Sequence, residues 1–368
     1  VVDTDFSNGF YIAVSPTVAT PWPSAAIFKS SDVLGTSYAQ VATISTQAIV
    51  GTADGVLAPF GGGNVIDASS SVTVTLGPGG SELSSCTLDE LLGGANPGLI
   101  GNEEFQWMTA TEIGVGQYTL TNLLRGRRGT EWAMYGHAAG ERFVAFPTYD
   151  YDASPGELGQ SRIYKAVTAG GTLAGAPPIA FTNTGAALRP YSPTAVGGGP
   201  VDPFDGVVRI NWQRRTRIGG AWVDYSDVPL SEPSEKYIVQ IWDSTFTLVA
   251  RIIEVTGAQT VDYTSAQQVA DFGADQLNVY VTVGQVGAYQ LGVQTPAIIP
   301  GSGASDTAPL APVPPYNSAP PPPSGGCALP ITSSTFNWAT PVRLYNSGMD
   351  ENQVWVIELT TGASQPGI

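Results

Sequence analysis

The stretch that decides the fold is "QYTLTNLLRGRRGTEW", Gln117–Trp132. Its first half alternates apolar and polar residues with a period of two, which predicts a half-buried β-strand. Its second half carries three arginines, Arg125, Arg127 and Arg128, punctuated by glycines, which indicates a tight turn. The stretch therefore predicts a strand that runs into a turn with an unusual concentration of positive charge.

The same strand-and-turn pattern extends over the N-terminal part of the chain. Short apolar runs alternate with Gly and Pro turn signals as far as about Pro147. Only "SSCTLDELLGG", Ser84–Gly94, predicts a helix, because it offers a Ser or Thr cap, acids in the first turn and a Gly stop. This part is predicted to be a β-sandwich or barrel-like domain with one short helix.

Composition supports a mainly β protein and limits its partners. Apolar residues make up 42% of the 368-residue chain and charged residues 12%, with 44 Gly and 29 Pro, which is typical of β-rich proteins with many loops. The net charge is −16, and a field of that sign repels nucleic acid and anionic membranes. The chain starts without Met inside the phrase "VVDTDFSNGFY", which favours a piece of a longer polypeptide.

A second β-domain is predicted from Arg189 onward. Five to seven strand-like runs, including "GVVRINWQRRTR" and "LNVYVTVGQVG", favour a fibronectin-type-III-like sandwich without the Cys and Trp pattern of immunoglobulins. Trp212 and Tyr280 are its expected core aromatics. We interpret "TVDYTSAQQVADFG", Thr260–Gly273, as one of its strands.

Five parts follow from these patterns. A Pro, Ala, Ser and Gly composition cannot bury a core and predicts an extended linker after the second domain. The parts are 1–150, the β-rich domain; 151–188, a connector or edge strands; 189–295, the sandwich; 296–326, the linker; and 327–368, a short β segment that packs on a partner or leads to further chain.

The Arg-rich turn allows two interpretations. Arg125, Arg127 and Arg128 could contact phosphates of a nucleic acid, or they could pair with Glu131 and other nearby acids and cap backbone carbonyls. The negative net charge favours the structural corner. We predict that at least two of the three arginines contact Glu, Asp or backbone carbonyls of this chain, and that the chain binds no nucleic acid.

A second cluster, "WQRRTR", carries three more arginines, Arg214, Arg215 and Arg217. Four acids follow it within the next eighteen residues, namely Asp224, Asp227, Glu232 and Glu235. A strand-turn-strand arrangement would bring the two signs together as cross-strand pairs, so a structural role is again predicted.

Residues with catalytic or metal-binding chemistry are few. His137 is the only histidine, no G-x-S-x-G occurs, and Cys86 and Cys327 are interpreted as free thiols. Glu103 and Glu104 are adjacent on a predicted strand and so point to opposite faces, which prevents them from acting as a carboxylate pair. No catalytic, cofactor or metal site is predicted, and the chain is not expected to be an enzyme.

One aromatic residue is a candidate for surface contact. Most of the Trp and Tyr residues lie in apolar alternation and are expected in the core, but Trp22 lies in the proline-flanked phrase "TPWPSA". An exposed indole of this kind would suit a carbohydrate surface, so Trp22 supports an alternative in which the chain is a carbohydrate-binding or polysaccharide-degrading module.

The phrases "LLGGANPGLIGNEEFQW", "YTLTNLLRGRRGTEW", "LRPYSP" and "INWQRRTRIGGAWVDYSDVPLSEPSEKYIVQIWD" carry a family resemblance. With them, the chain resembles the C-terminal region of the large tail-tip hub, or host-specificity protein, of gene transfer agents and related siphophages. The matching phrases run from about residue 20 to residue 285. The resemblance implies a structural protein of the virion at the distal tail tip.

The resemblance also implies the protein's partners. Such a protein would form a homotrimer on the tail axis, contact other tail and baseplate proteins, and reach a host surface receptor, either a glycan or an outer-membrane protein. It supplies no catalytic residue that could be carried over to a position of this chain.

Overall fold

The structure is a computed structural model, and it describes residues 8–16, 22–61, 65–78, 82–146, 148–220, 228–302, 344–346 and 354–359. The fold is mainly β, as the sequence predicted. Two compact units divide the chain. The first comprises Val1–Ala187 with Pro322–Ile368, and the second comprises Leu188–Pro321.

Strands and helices are numbered in chain order. The strands are β1 Phe10–Pro16, β2 Ala25–Ser30, β3 Tyr38–Ile44, β4 Ile49–Ala53, β5 Ile66–Leu76, β6 Pro97–Ile100, β7 Glu103–Gly114, β8 Gln117–Leu124, β9 Arg142–Ala145, β10 Tyr149–Tyr151, β11 Ser161–Thr168, β12 Ile179–Thr182, β13 Thr194–Pro200, β14 Val208–Gln213, β15 Lys236–Trp242, β16 Val249–Thr256, β17 Thr260–Tyr263, β18 Asn278–Gln285, β19 Thr295–Pro300, β20 Leu344–Asn346 and β21 Val354–Leu359. The α-helices are α1 Leu88–Leu92 and α2 Ser265–Phe272.

Strands β4 to β9 close an antiparallel barrel in the order β4-β5-β8-β7-β6-β9. Alternate residues of each strand point into the barrel, as the pleat requires. Three interior aromatics, Phe105, Trp107 and Phe143, pack with ring centroids 5.8–6.4 Å apart. Because β4 pairs with β9, the barrel sheet has no open edge.

The other two sheets of the first unit share a separate core. One has the strand order β12-β11-β2-β3 and the other β10-β1-β21-β20. Phe10 lies at their common centre and contacts the rings of Tyr151, Tyr164 and Phe181. The barrel, which begins at Ile49, is therefore inserted between β3 and β10 of this second core.

Strand β1 connects the two cores because both of its faces are buried. Its even residues, such as Phe10 and Ile12, belong to the core of the two sheets. Its odd residues Tyr11 and Ala13 pack against barrel residues, including Val144 and Phe146. All seven residues of β1 are buried, which explains the continuous apolar run in its sequence.

Residues 151–188, predicted as a connector or edge strands, contribute two strands to the sheet β12-β11-β2-β3. "YKAVTAG" falls in β11, which lies between β12 and β2 and is therefore not an edge strand. Tyr164 and Ala166 are buried in alternation along it, so one face of β11 contributes to the core. The other stretch, "PPIAFTNTG", supplies β12, which does lie at the edge of its sheet.

The second unit is a fibronectin-type-III-like sandwich. Its sheets have the strand orders β13-β14-β17 and β16-β15-β18-β19, which is a three-plus-four arrangement of antiparallel strands. Trp212 and Tyr237 meet edge to face in its core with centroids 5.1 Å apart. Tyr280 was predicted in this core, but it is only partly buried and packs instead on Phe246, with centroids 5.6 Å apart.

The two α-helices differ in how well the sequence predicted them. Helix α1 lies inside the stretch predicted as helical and has a capping box between Thr87 and Glu90. Helix α2 was missed, because Thr260–Gly273 was interpreted as a strand throughout. The strand ends at Tyr263, where Thr264 caps the helix in a capping box with Gln267. No helix in the described part of the chain is long and apolar enough to cross a membrane.

Candidate functional site

A cluster of charged side chains lies where the Arg-rich turn meets the barrel. The turn follows β8 and consists of two short 3-10 segments, Arg127–Gly129 and Glu131–Ala133. Gly126 has a φ of 56°, and a Cβ there would lie 2.9 Å from Glu131 Cα and from Met134 Sδ. Only glycine fits this backbone, and the tight turn aims Arg125 back into the barrel.

Arg125 is buried and has a carboxylate on each side. Its Nε and Nη2 donate to the two oxygens of Glu103 at 2.6 Å and 2.8 Å, which is a bidentate pair. Its Nη1 donates to Asp67 Oδ2 at 3.3 Å and to the carbonyl of Ala58 at 3.1 Å. The side chains of Arg125, Glu103 and Asp67 are fully buried, so these pairs are not screened by water.

Glu103 also binds His137. The Nε2 of His137 lies 2.8 Å from Glu103 Oε2, and its Nδ1 lies 2.6 Å from Glu141 Oε2. The His137 side chain is 2% exposed, whereas that of Glu141 is 25% exposed, so the chain of charges leads from the barrel interior to the surface. We call Asp67, Arg125, Glu103, His137 and Glu141 the barrel charge network.

The network sets the protonation state of its members. Burial alone would lower the pKa of His137, but hydrogen bonds and charges from Glu103 and Glu141 outweigh it and raise that pKa to about 9. Burial tends to raise the pKa of Glu103, but hydrogen bonds from His137 and Arg125 outweigh it and hold that pKa below its usual value. At neutral pH His137 is therefore a cation that donates from both nitrogens to carboxylates.

A second layer covers the opposite face of β7. Because adjacent strand residues point to opposite faces, Glu104 points away from Glu103 and pairs with Arg128 Nε at 3.2 Å. Gln106 lies on the same face as Glu104, accepts from Arg127 Nε at 3.1 Å, and donates to the carbonyls of Leu91 and Ala95. All three arginines of the turn are thus tied to β7.

The contacts predicted for at least two of the three arginines are present: Arg125 and Arg128 both form ion pairs with glutamates. The glutamates come from β7, a strand that the sequence analysis did not connect with the turn. Glu131, the acid expected to pair, lies in the turn itself with one buried oxygen. That the turn has a structural role stays a prediction.

The chemistry of the barrel charge network suits ion pairing more than proton transfer. A general base works best with a pKa near the operating pH, but His137 is held as a cation and Glu103 as an anion. Glu103 accepts four hydrogen bonds, two from Arg125, one from His137 and one from the backbone amide of Gly126. Within the described residues, no group of three or more His, Cys, Asp or Glu side chains is placed to hold a metal ion.

The second Arg cluster forms ion pairs within the sandwich. Arg217 donates from Nε and Nη2 to Glu232 Oε1 at 2.9 Å and 2.8 Å, and both side chains are buried. Arg214 lies 3.3 Å from Glu235 Oε1, and the guanidinium of Arg215 lies 5.0 Å from the ring centroid of Tyr191.

Two of the four acids predicted to pair with this cluster, Glu232 and Glu235, therefore do so. The other two, Asp224 and Asp227, lie outside the described residues.

Trp22 is partly buried against the core of the two sheets in the first unit. Its indole Nε1 is buried and has no hydrogen-bond partner in the described part of the chain.

Of the two cysteines, Cys86 lies within the described residues. Cys86 is a partly buried free thiol, and burial raises its pKa. Cys327 lies outside the described residues.

Comparisons with known proteins find that one part of the chain is similar to a family. Residues 48–144 match the family model described as Rcc01698-like, C-terminal. These limits coincide with the barrel, whose strands run from Ile49 to Ala145, and so they include the whole barrel charge network and the Arg-rich turn. No curated protein matches the chain.

Among solved structures, one match is a two-domain fibronectin type III segment of chicken tenascin. It is 9% identical, and the match covers 69% of this chain and 99% of that chain with a TM-score of 0.22. At this score the two chains do not superpose as wholes. The sandwich assignment of the second unit rests on its own strand order.

Proposed function

We propose that the chain is a structural component of the tail tip, or baseplate hub, of a phage-like particle such as a gene transfer agent. The observation that carries the proposal is the match of residues 48–144 to the Rcc01698-like C-terminal family, whose namesake is a protein associated with a Rhodobacter gene transfer agent. The match spans one whole barrel, so it concerns a folded module and not a short motif.

The geometry of the charged residues supports a mechanical role. Arg125, Arg128 and Arg217 each pair with a carboxylate of the same unit, and Arg125 and Arg217 are buried. Such pairs specify one packing arrangement and do not present a cationic surface. The proposed protein is accordingly not an enzyme and binds no nucleic acid.

The proposed setting is the distal end of a tail. The chain would form a homotrimer on the tail axis, hold other tail and baseplate proteins, and project its β-domains toward a host receptor, either a glycan or an outer-membrane protein. The negative charge of the chain would discourage nonspecific adhesion to anionic cell surfaces and leave specific loops to make the contact.

Immunogold labelling of purified particles tests the proposal. An antibody raised against the 368-residue chain should label one end of the tail, and a strain that lacks the coding region should yield particles without label and with reduced adsorption to host cells. Label on the capsid, or no label on particles that adsorb normally, would contradict the proposal.

A carbohydrate-binding module is the second candidate, favoured by one observation. Trp22 is partly exposed and is followed by the exposed Pro23. A flat aromatic surface of this kind can stack on a sugar ring. This candidate predicts glycan binding by the isolated chain, whereas a purely architectural role does not.

A further inference from the structure

The strand β1 is completed by the far end of the chain. On one edge it pairs antiparallel with β10, and on the other edge it pairs parallel with β21, from Tyr11 opposite Val354 to Pro16 opposite Leu359. Strand β20 then pairs antiparallel with β21. The C-terminal hairpin therefore occupies the one edge of β1 that the N-terminal strands leave free.

The edge of β1 and the β20–β21 hairpin stabilise each other. Without β21, the edge of β1 would expose a row of unpaired N–H and C=O groups on a strand whose side chains are all buried. Natural proteins avoid such an edge, because it pairs with other chains. An isolated two-stranded hairpin such as β20–β21 is in turn only marginally stable in water.

Little in the chain's connectivity obliges β21 to pair with β1 of its own chain. The second unit, Leu188–Pro321, lies in the chain between the hairpin and the rest of the first unit. Residues 301–343, which join β19 to β20, number 43. The advantage of a tether falls with its length, so an adjacent copy of the chain competes well for the hairpin.

We propose that, in the assembled protein, β21 of one copy pairs with β1 of a neighbouring copy. The inference rests on the proposed homotrimer, in which each chain would pass its hairpin to the next and the head-to-tail contacts would close into a ring. Backbone hydrogen bonds supply the affinity, as in other cases of strand addition. The segment 327–368 would then pack on a partner, as the sequence predicted, with a second copy of the chain as that partner.

Cysteine pairs placed at the strand contact distinguish the two connectivities. Ser15 lies opposite Glu358, and Ala13 lies opposite Val356, in the β1–β21 register. In a background with Cys86→Ser and Cys327→Ser, one preparation carries Ser15→Cys and another carries Glu358→Cys. After the two are refolded together and oxidised with copper phenanthroline, only pairing between copies can give a covalent dimer on a non-reducing gel.

The double variant, Ser15→Cys with Glu358→Cys, tests whether the copies close into a ring. We expect covalent species of two and three chains, with the three-chain species dominant when all links form. The pair Ala13→Cys with Val356→Cys should give the same result, which guards against one poorly folded variant. Ser15→Cys with Asn346→Cys is the matched control, because Asn346 lies on β20 and pairs with β21 and not with β1.

Two outcomes would overturn the inference. In one, the double variants give only single chains that migrate faster because of an internal disulfide. In the other, neither pair forms a disulfide while thermal unfolding shows that the variants are folded. Neither outcome touches the proposed function, since a chain with an internal β1–β21 pair could still be labelled at the tail tip.

Discussion

Arg125 and Glu103 form a bidentate ion pair inside the barrel, with N–O distances of 2.6 Å and 2.8 Å and both side chains fully buried. Glu103 also accepts from His137, so one carboxylate lies between two cations, each of which has a second carboxylate partner in Asp67 or Glu141. Removing Glu103 deprives both buried cations of a carboxylate partner, and the loss of a buried partner costs far more than an exposed pair contributes.

Glu103→Gln should therefore destabilise the barrel strongly. The change leaves Arg125 and His137 facing a neutral amide, and we expect a loss of about 3–5 kcal/mol in the free energy of unfolding. Asp262→Asn is the matched control, because Asp262 pairs with Arg209 on the surface and such pairs contribute about 0–1 kcal/mol. Differential scanning calorimetry of both variants measures the losses, and similar small losses in both would contradict the prediction.

Stability should also fall at alkaline pH because of His137. Its pKa is about 9 in the folded protein and about 6.5 in the unfolded chain, so the contribution is complete below pH 6.5 and disappears as the pH rises through 9. A difference of this size corresponds to about 3 kcal/mol. We expect the unfolding free energy of the wild type to fall between pH 6.5 and 9.5 by that amount more than that of His137→Gln. If the unfolding free energies of the wild type and of His137→Gln changed equally with pH, His137 would not contribute in this way.

The sequence revealed the local elements of the barrel but not its charge network. "QYTLTNLL" became β8, and "SSCTLDELLGG" contains α1, because period and capping are properties of neighbouring residues. Arg125 and Glu103 are 22 residues apart in the chain, and the pairing of β7 with β8 brings them together. A shift of one residue in strand register would have turned Glu104 inward in place of Glu103, and no local pattern reveals the register.

Two other features that the sequence analysis missed, helix α2 and the contact of His137 with Glu141, had a local sequence signal. The helix α2 starts with Thr264 and has Gln267 three residues later, which is a capping-box sequence within a stretch interpreted as a strand. His137 and Glu141 are four residues apart, so their contact was open to local reasoning. The contacts of Glu103 with His137 and Arg125 depend on long-range strand pairing, so local reasoning could not find them.

Trp22→Ala tests the glycan alternative. If Trp22 stacks on a sugar, the wild-type chain should bind members of a glycan array and the variant should lose that binding. Tyr289→Ala is the control, since Tyr289 is 59% exposed on the second unit. Because Trp22 also packs partly on a core, thermal unfolding must show that the variant stays folded. Absence of wild-type binding, or equal binding by wild type and variant, would argue against this candidate.

Two adjacent glycines in β13 give the sharpest test of the sandwich packing. A Cβ on Gly198 would lie 1.8 Å from the carbonyl oxygen of Arg209 at a φ of +142°, whereas a Cβ on Gly199 would meet no heavy atom within 4 Å. We expect Gly198→Ala to lower the free energy of unfolding by about 1–3 kcal/mol, because the added Cβ forces β13 away from β14. Gly199→Ala should change stability by less than about 0.5 kcal/mol. Urea unfolding of the two variants measures this difference. Equal urea midpoints for the two variants would mean that β13 does not pair with β14 as described.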